Sequence, residues 1–177
     1  MSSRLGGAKL PSMQRQRQSI AELQDRVRHL QSQGYELLQA DESLFSVDGY
    51  NHSVHWSPVG QPIMKATRWG SAKPIVVFGC ISPTRGVVHW HLGESSFNSA
   101  DIGEALEEIR VKSGNAPLAL MWDNAKIHRS KHVQQLMGNP EIDIEPIWNV
   151  CARPDLASLG IERTWARAKH LYRLEVD

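Results

Sequence analysis

The stretch Pro117–Ser130, PLALMWDNAKIHRS, decides how the rest of the chain is read. Five consecutive apolar residues, Leu118 to Trp122, have the pattern of a strand covered on both faces, and the run stops at Asp123 ahead of a polar segment with helical character. A carboxylate is therefore expected on the lip of a buried strand. Two further acids stand in comparable frames: Asp41 closes the run Glu36-Leu37-Leu38-Gln39-Ala40, and Glu162 lies near the start of a helical pattern carrying Trp165 and Leu171. Three acids at the ends of core elements are candidates for a metal cage.

With 177 residues the chain is long enough for one domain with a sizeable core. Its 20 basic and 19 acidic residues give a formal charge of +1, so the strongly basic field of a stand-alone nucleic-acid binder is missing. DNA contacts must come from local patches or a partner. Cys80 and Cys151 have no metal-ligand spacing, and no secretory signal is seen, which suits a reducing compartment. No apolar run approaches the roughly 18 residues of a membrane span. Bacterial cytoplasm and eukaryotic nucleus both fit; secretion and a membrane do not.

Working backwards from the central strand, Ser96 to Lys112 has a helical pattern with Ile102, Leu106 and Ile109 on one side and Asn98 or Ser99 as cap. The apolar runs Ile75 to Cys80 and Gly86 to Leu92, joined through Ser82-Pro83-Thr84-Arg85, read as antiparallel strands. Leu44 to Val47 and Val54 to Trp56 are short extended pieces around the turn signal Asp48-Gly49. Tyr35 to Asp41 reads as the first strand, on which Tyr35, Leu37, Gln39 and Asp41 share one face and Glu36, Leu38 and Glu42 the other. Asp41 and Glu42 therefore cannot serve one ion unless the strand has already ended. Before it, Ile20, Leu23, Val27 and Leu30 make one helical stripe over residues 19–34, with Ser19 as N-cap and Gly34 as stop. This helix is expected to pack on or lead into the domain, a dimer contact being the alternative. Residues 1–18 carry Arg4, Lys9, Arg15 and Arg17 and no acid, the composition of a flexible basic leader; phosphate contact is the alternative use.

Downstream, His132 to Met137 is a short helix, Ile142 to Ile147 a strand with Pro146 at its end or on an edge, and Leu156 to Leu174 a helix. Strands first, then helix, strand, helix, strand, helix, is the order of an α/β mixed sheet with helices on its faces, filling residues 35–177. If the first and central strands are neighbours and the last helix crosses their ends, the three acids meet. Hard oxygen ligands favour Mg²⁺ or Mn²⁺, and two such ions about 3.5–4 Å apart serve phosphodiester chemistry. Taken singly, each acid also suits a plainer use: Asp123 as a helix cap or turn residue, Glu162 as a complement to its helix dipole.

The runs Asp41-Glu42-Ser43, His55-Trp56-Ser57-Pro58-Val59-Gly60-Gln61-Pro62, Trp122-Asp123-Asn124-Ala125-Lys126-Ile127-His128-Arg129-Ser130, Pro154-Asp155-Leu156 and Ile161-Glu162-Arg163-Thr164-Trp165 resemble, in this order, the catalytic domain of the DDE transposases of mariner-like insertion sequences. The similarity extends from about Tyr35 to Lys169. It implies an RNase H-like fold, with three antiparallel strands plus two parallel and helices on both faces. It also implies two divalent ions held by Asp41, Asp123 and Glu162, and strand nicking and strand transfer on DNA, both transposon ends and target. Asn124 and His128, four apart on a helix after Asp123, would face the site or the DNA backbone. Trp56 and Gln61 occupy the family's tryptophan-to-glutamine loop, and Arg163 and Lys169 follow Glu162 as candidate phosphate contacts. No helix-turn-helix pair precedes Asp41, so a separately encoded helix-turn-helix portion is the expected partner, with a homodimer also open. The approach to Glu162 lacks the family's asparagine–proline pair and is longer by two residues, which motivates the alternative of a decayed, non-catalytic remnant acting as an interaction module.

Overall fold

The computed structural model describes residues 13–45, 59–60, 74–93, 96–149 and 160–176. The elements are α1 (Met13–Ser32), β1 (Glu36–Phe45), β2 (Ile75–Ser82), β3 (Gly86–Gly93), α2 (Ser99–Ser113), β4 (Leu118–Trp122), α3 (Lys131–Met137), β5 (Ile144–Trp148) and α4 (Ile161–Val176). They form one five-stranded sheet in the order β3-β2-β1-β4-β5. β1, β2 and β3 pair antiparallel, while β1, β4 and β5 pair parallel, the mixed arrangement expected of an RNase H-like domain. Pro146 sits on β5, an edge strand, where its missing N–H is tolerated.

Strand alternation decides which helix lies where. Leu38, Ala40, Phe78, Cys80, Leu118, Leu120 and Trp122 point to one face and are covered by Ile102, Leu106 and Ile109 of α2 and Val133 of α3. Opposite them, Leu37, Ala119, Met121 and Ile147 meet Leu30 of α1, and Phe45 and Ile81 meet Ile161 and Trp165 of α4. Helices thus cover both faces, and each fully buried aliphatic side chain contributes about 1.5–3 kcal/mol. The cap of α2 is a reciprocal one: Asn98 Oδ1 accepts from the N–H groups of Ala100 and Asp101, and Asp101 Oδ2 accepts from Asn98 N–H at 2.7 Å. No described helix is long and apolar enough to cross a membrane.

Several boundaries differ from the sequence expectations. α1 starts at Met13 rather than after Ser19, which shortens the leader, because Gln14-Arg15-Gln16-Arg17-Gln18 consists of straight-chain residues that propagate a helix without a cap. β1 continues past Asp41 to Phe45, because its pairing with β2 runs on from Glu42↔Phe78 to Phe45↔Ile75. No helix follows Asp123 directly. Asp123 Oδ1 accepts the Ala125 N–H at 2.9 Å, which folds the chain into turns, and α3 waits for Ser130, whose Oγ accepts from Val133 N–H. Val54 to Trp56 and the start of the last helix at Leu156 lie outside the described residues.

Candidate active site

β1 outruns its neighbour. Its parallel pairing with β4 ends at Gln39↔Met121, so Asp41 and Asp123 each stand two residues beyond the last paired row; Asp123 has left β4, which ends at Trp122, while Asp41 continues the face of Leu37 and Gln39. That is the face on which α4 lies. Two side chains of β1 seat the start of α4: Gln39 Oε1 accepts the Ile161 N–H at 3.4 Å, and Asp41 Oδ2 accepts the Trp165 indole N–H at 3.0 Å. The indole's six-membered ring sits against Gly79, the residue paired with Asp41 across β1 and β2, where a Cβ would stand 2.5 Å from Trp165 Cη2. Glycine at 79 is what lets α4 come down onto the sheet.

Glu162 sits in the first turn of α4 and is exposed, yet near enough that its charge acts on Asp41. Burial, then the charge of Glu42 and, more weakly, that of Glu162 push the Asp41 carboxyl up to about 6, against the opposing pull of the Trp165 N–H. Among the described residues, no cation pairs with Asp41 or Glu162.

Asp123 is engaged differently. His128 is buried, 1% exposed, with its ring stacked on Trp122 at 4.5 Å between centroids and 7° between planes. Its Nδ1 lies 2.8 Å from Asp123 Oδ1 and its Nε2 lies 2.8 Å from Glu42 Oε1. Burial works to lower the His128 pKa, but the hydrogen bond and charge of Glu42 and the charge of Asp123 outweigh it and hold the imidazole above its ordinary value. With both carboxylates ionised, each ring nitrogen carries an N–H and donates to one of them. Trp122 also stacks on Trp148, whose other neighbour is the Arg129 guanidinium, 4.9 Å from the ring centre. Asn124 donates to the Asn149 carbonyl at 2.6 Å, tying the ends of β4 and β5 together.

Glu162 is thus near enough for its charge to act on Asp41, and Asp123 stands level with Asp41 at the end of β4 but is tied to His128. Among the described residues, no three His, Cys, Asp or Glu side chains stand close enough to hold one ion. Asn124 and His128 do not share a helix face, since no helix runs through 124–130 and residues 126–129 are turns; each instead holds the end of β4. Arg163 is exposed beside Glu162, whereas Lys169 lies over the Phe45 ring at 5.8 Å, away from Asp41 along β1. Trp56 and Gln61 lie outside the described residues. Sequence reasoning passed over Gln39, Gly79, Trp165 and Glu42. The spacing of three between Glu162 and Trp165, and a glycine inside the apolar run of β2, were the available signals. Cys80 is no nucleophile: burial pushes its thiol up to about 12.

A family model described as DDE superfamily endonuclease matches residues 36–172. Among solved structures, the Mos1 transposase paired-end complex with left transposon end has a TM-score of 0.67 at 17% identity, covering 95% of this chain and 52% of that one. The Mos1 mariner paired end complex with Mn gives 0.68 at 17%, covering 97% and 53%. The catalytic domain of Mos1 mariner transposase gives 0.62 at 15%, covering 92% and 74%. The chain spans about half the length of the transposase chains in those complexes, and likeness at this identity establishes the fold. No curated protein matches in sequence.

Proposed function

The chain belongs to the DDE endonuclease superfamily, and from that premise we propose that it is a transposase catalytic domain, nicking DNA and transferring strands by in-line attack of water or a 3′-hydroxyl on a phosphodiester. The observation that carries this reading is the standing of Asp41 and Asp123 at one level, each two residues beyond the last pair of two adjacent parallel strands, with Glu162 in the first turn of the helix seated on Asp41. Three carboxylates suit a hard divalent cation. The upward push on Asp41 from burial, Glu42 and Glu162, with no described cation to answer it, is the electrostatic state that such an ion relieves. Asp41, Asp123 and Glu162 would hold Mg²⁺ or Mn²⁺, two ions in this reading; the Mos1 complexes contain Mn or Mg. Bound there, divalent ions supply charge stabilisation at the phosphoryl group and a more nucleophilic attacking oxygen.

The protein's own groups orient the ligands. Trp165 fixes one oxygen of Asp41, Gln39 anchors the turn that carries Glu162, and His128 with the Ala125 N–H fixes one oxygen of Asp123. Arg163, exposed beside Glu162, is the nearest candidate to steer a DNA phosphate. Transposon ends and target DNA are the proposed substrates, with a homodimer as the proposed assembly.

The test is nicking of supercoiled plasmid by the purified chain in Mn²⁺. Wild type is expected to relax the plasmid and Asp123→Asn to fail; an inert wild type, or an equally active variant, refutes the reading. A second reading, an interaction module without catalysis, is favoured by the absence of a three-ligand cluster among the described residues. It predicts a folded chain that binds DNA or protein but shows no Mn²⁺-dependent cleavage.

A further inference from the structure

The two adjacent acids of β1 divide between the faces of the sheet. Asp41 faces α4, and Glu42 faces the side covered by α2 and α3, where the buried ring of His128 receives it. The contacts then run in series: Glu42 Oε1 to His128 Nε2 at 2.8 Å, and His128 Nδ1 to Asp123 Oδ1 at 2.8 Å. The Asp123 side chain is 59% exposed just past the end of a strand, and the residues that follow, 124–130, are irregular with turns at 126–129. Left to itself, such a carboxylate samples several rotamers. The histidine cannot do so, because its ring is stacked on Trp122 and enclosed.

We propose that Glu42 is a positioning residue for Asp123, acting through His128 from the opposite face of the sheet. The hydrogen bond from Nε2 fixes which way the ring turns about its stacking axis, and the ring in turn fixes one oxygen of Asp123. Outer partners of this kind orient the groups that hold a metal. Glu42 touches neither substrate nor ion; its contribution is the geometry of a carboxylate two strand-ends away. The inference rests on the proposed role of Asp123 in holding Mn²⁺ or Mg²⁺.

The experiment compares Glu42→Gln, Glu42→Asp and Glu42→Ala in the full chain. Three quantities are read: Mn²⁺ binding by electron paramagnetic resonance of the free ion, thermal unfolding without metal, and kcat and KM for plasmid nicking. The Gln amide oxygen still reaches Nε2, whereas the Asp carboxylate, one methylene shorter, keeps the charge and loses the contact. Gln is expected to bind Mn²⁺ within about threefold of wild type, and Asp and Ala to bind about 10–100-fold more weakly, with kcat falling and KM for DNA unchanged. Rescue by Gln with loss in Asp is an order that a generic charge effect does not produce, and thermal unfolding without metal separates it from a loss of stability. Equal Mn²⁺ affinity in all three variants overturns the proposal, as does retention by Asp with loss in Gln. If Ala fails to fold, the Gln and Asp pair decides alone. A wild type that neither binds Mn²⁺ nor nicks DNA overturns the functional reading itself, a result distinct from a competent wild type indifferent to residue 42.

Discussion

Replacing Asp41 by Asn should make the metal-free protein more stable at neutral pH, even though it removes a proposed metal ligand. The carboxyl is pushed up to about 6 in the fold from a reference value of 3.8, first by burial and then by Glu42 and Glu162. For an acid, a raised folded value means that the folded state holds the proton more tightly than the unfolded chain. Stability therefore falls as pH rises through the window from 3.8 to about 6 and stays at its lowered level above it. With about 1.4 kcal/mol per pH unit, the full penalty at pH 8 is at most about 3 kcal/mol, and solvent screening of this part-exposed group reduces it to about 1–2 kcal/mol. The amide removes the charge and keeps an oxygen for the Trp165 N–H. For a chain of this length, the gain should appear as a rise of about 3–6 °C in Tm at pH 8 in EDTA, and about a third of that at pH 4.5. Mn²⁺ at about a hundred times its Kd should then add about 2.7 kcal/mol to wild type by mass action and far less to the variant, reversing their order. Scanning calorimetry at the two pH values, with and without Mn²⁺, decides it. A variant that melts at or below wild type in EDTA at pH 8, or whose advantage is the same at both pH values, refutes the account of Asp41 as a carboxylate crowded among acids.

Gly79→Ala should cost about 1–3 kcal/mol by overpacking, because the new methyl meets Trp165 Cη2 at 2.5 Å and α4 must lift; an unchanged urea midpoint would show that α4 is not seated as described. The pair Glu36–Arg85 should contribute about 1 kcal/mol, since both oxygens of Glu36 are engaged by the guanidinium, at 2.7 and 2.9 Å, and Ser82 adds a third bond. Burial works to raise the Glu36 pKa, but Arg85 and Ser82 hold it below 4.5, so this stabilisation is complete above about pH 4.5 and lost as pH falls through the lower folded value. The gap in unfolding free energy between wild type and Arg85→Gln should therefore narrow as pH falls below 4.5, and a gap independent of pH contradicts the assignment.

How much of this was legible beforehand follows from the range of each signal. The run Leu118 to Trp122 could be identified as a covered strand because five apolar residues without alternation leave few other structures, and all five are buried. The capping of α2 by Asn98 was legible because a capping box is local, three residues wide. The end of β1 was not, since it depends on how far β2 continues alongside, and β2 begins about thirty residues later. Nor was the turn after Asp123, because the polar run Asn124–Arg129 is equally compatible with a helix until one carboxylate accepts its own chain's N–H at Ala125. Of the candidate site, the acids were legible from their frames, but their supports were not. Gln39, Gly79 and Trp165 act across elements, and a contact such as Trp165 with Asp41 has no period in sequence.

Register is where the fold and the candidate chemistry become the same question. Successive residues of β1 face opposite ways, so a slip of one residue would send Asp41 toward His128 and Glu42 toward α4, exchanging their environments. The hydrophobic pattern resists this, because Leu38 and Ala40 would leave the core under α2 and α3 with them. The Trp165 indole resists it independently: seated over Gly79, in the row of Asp41, it donates to Asp41 Oδ2, and a slipped β1 would put Ala40 or Glu42 in that row instead. The glycine thus couples strand register to helix docking, and helix docking carries Glu162. Strand alternation and helix docking therefore act together to set which of two neighbouring acids faces α4 and which is left to hold His128 from behind.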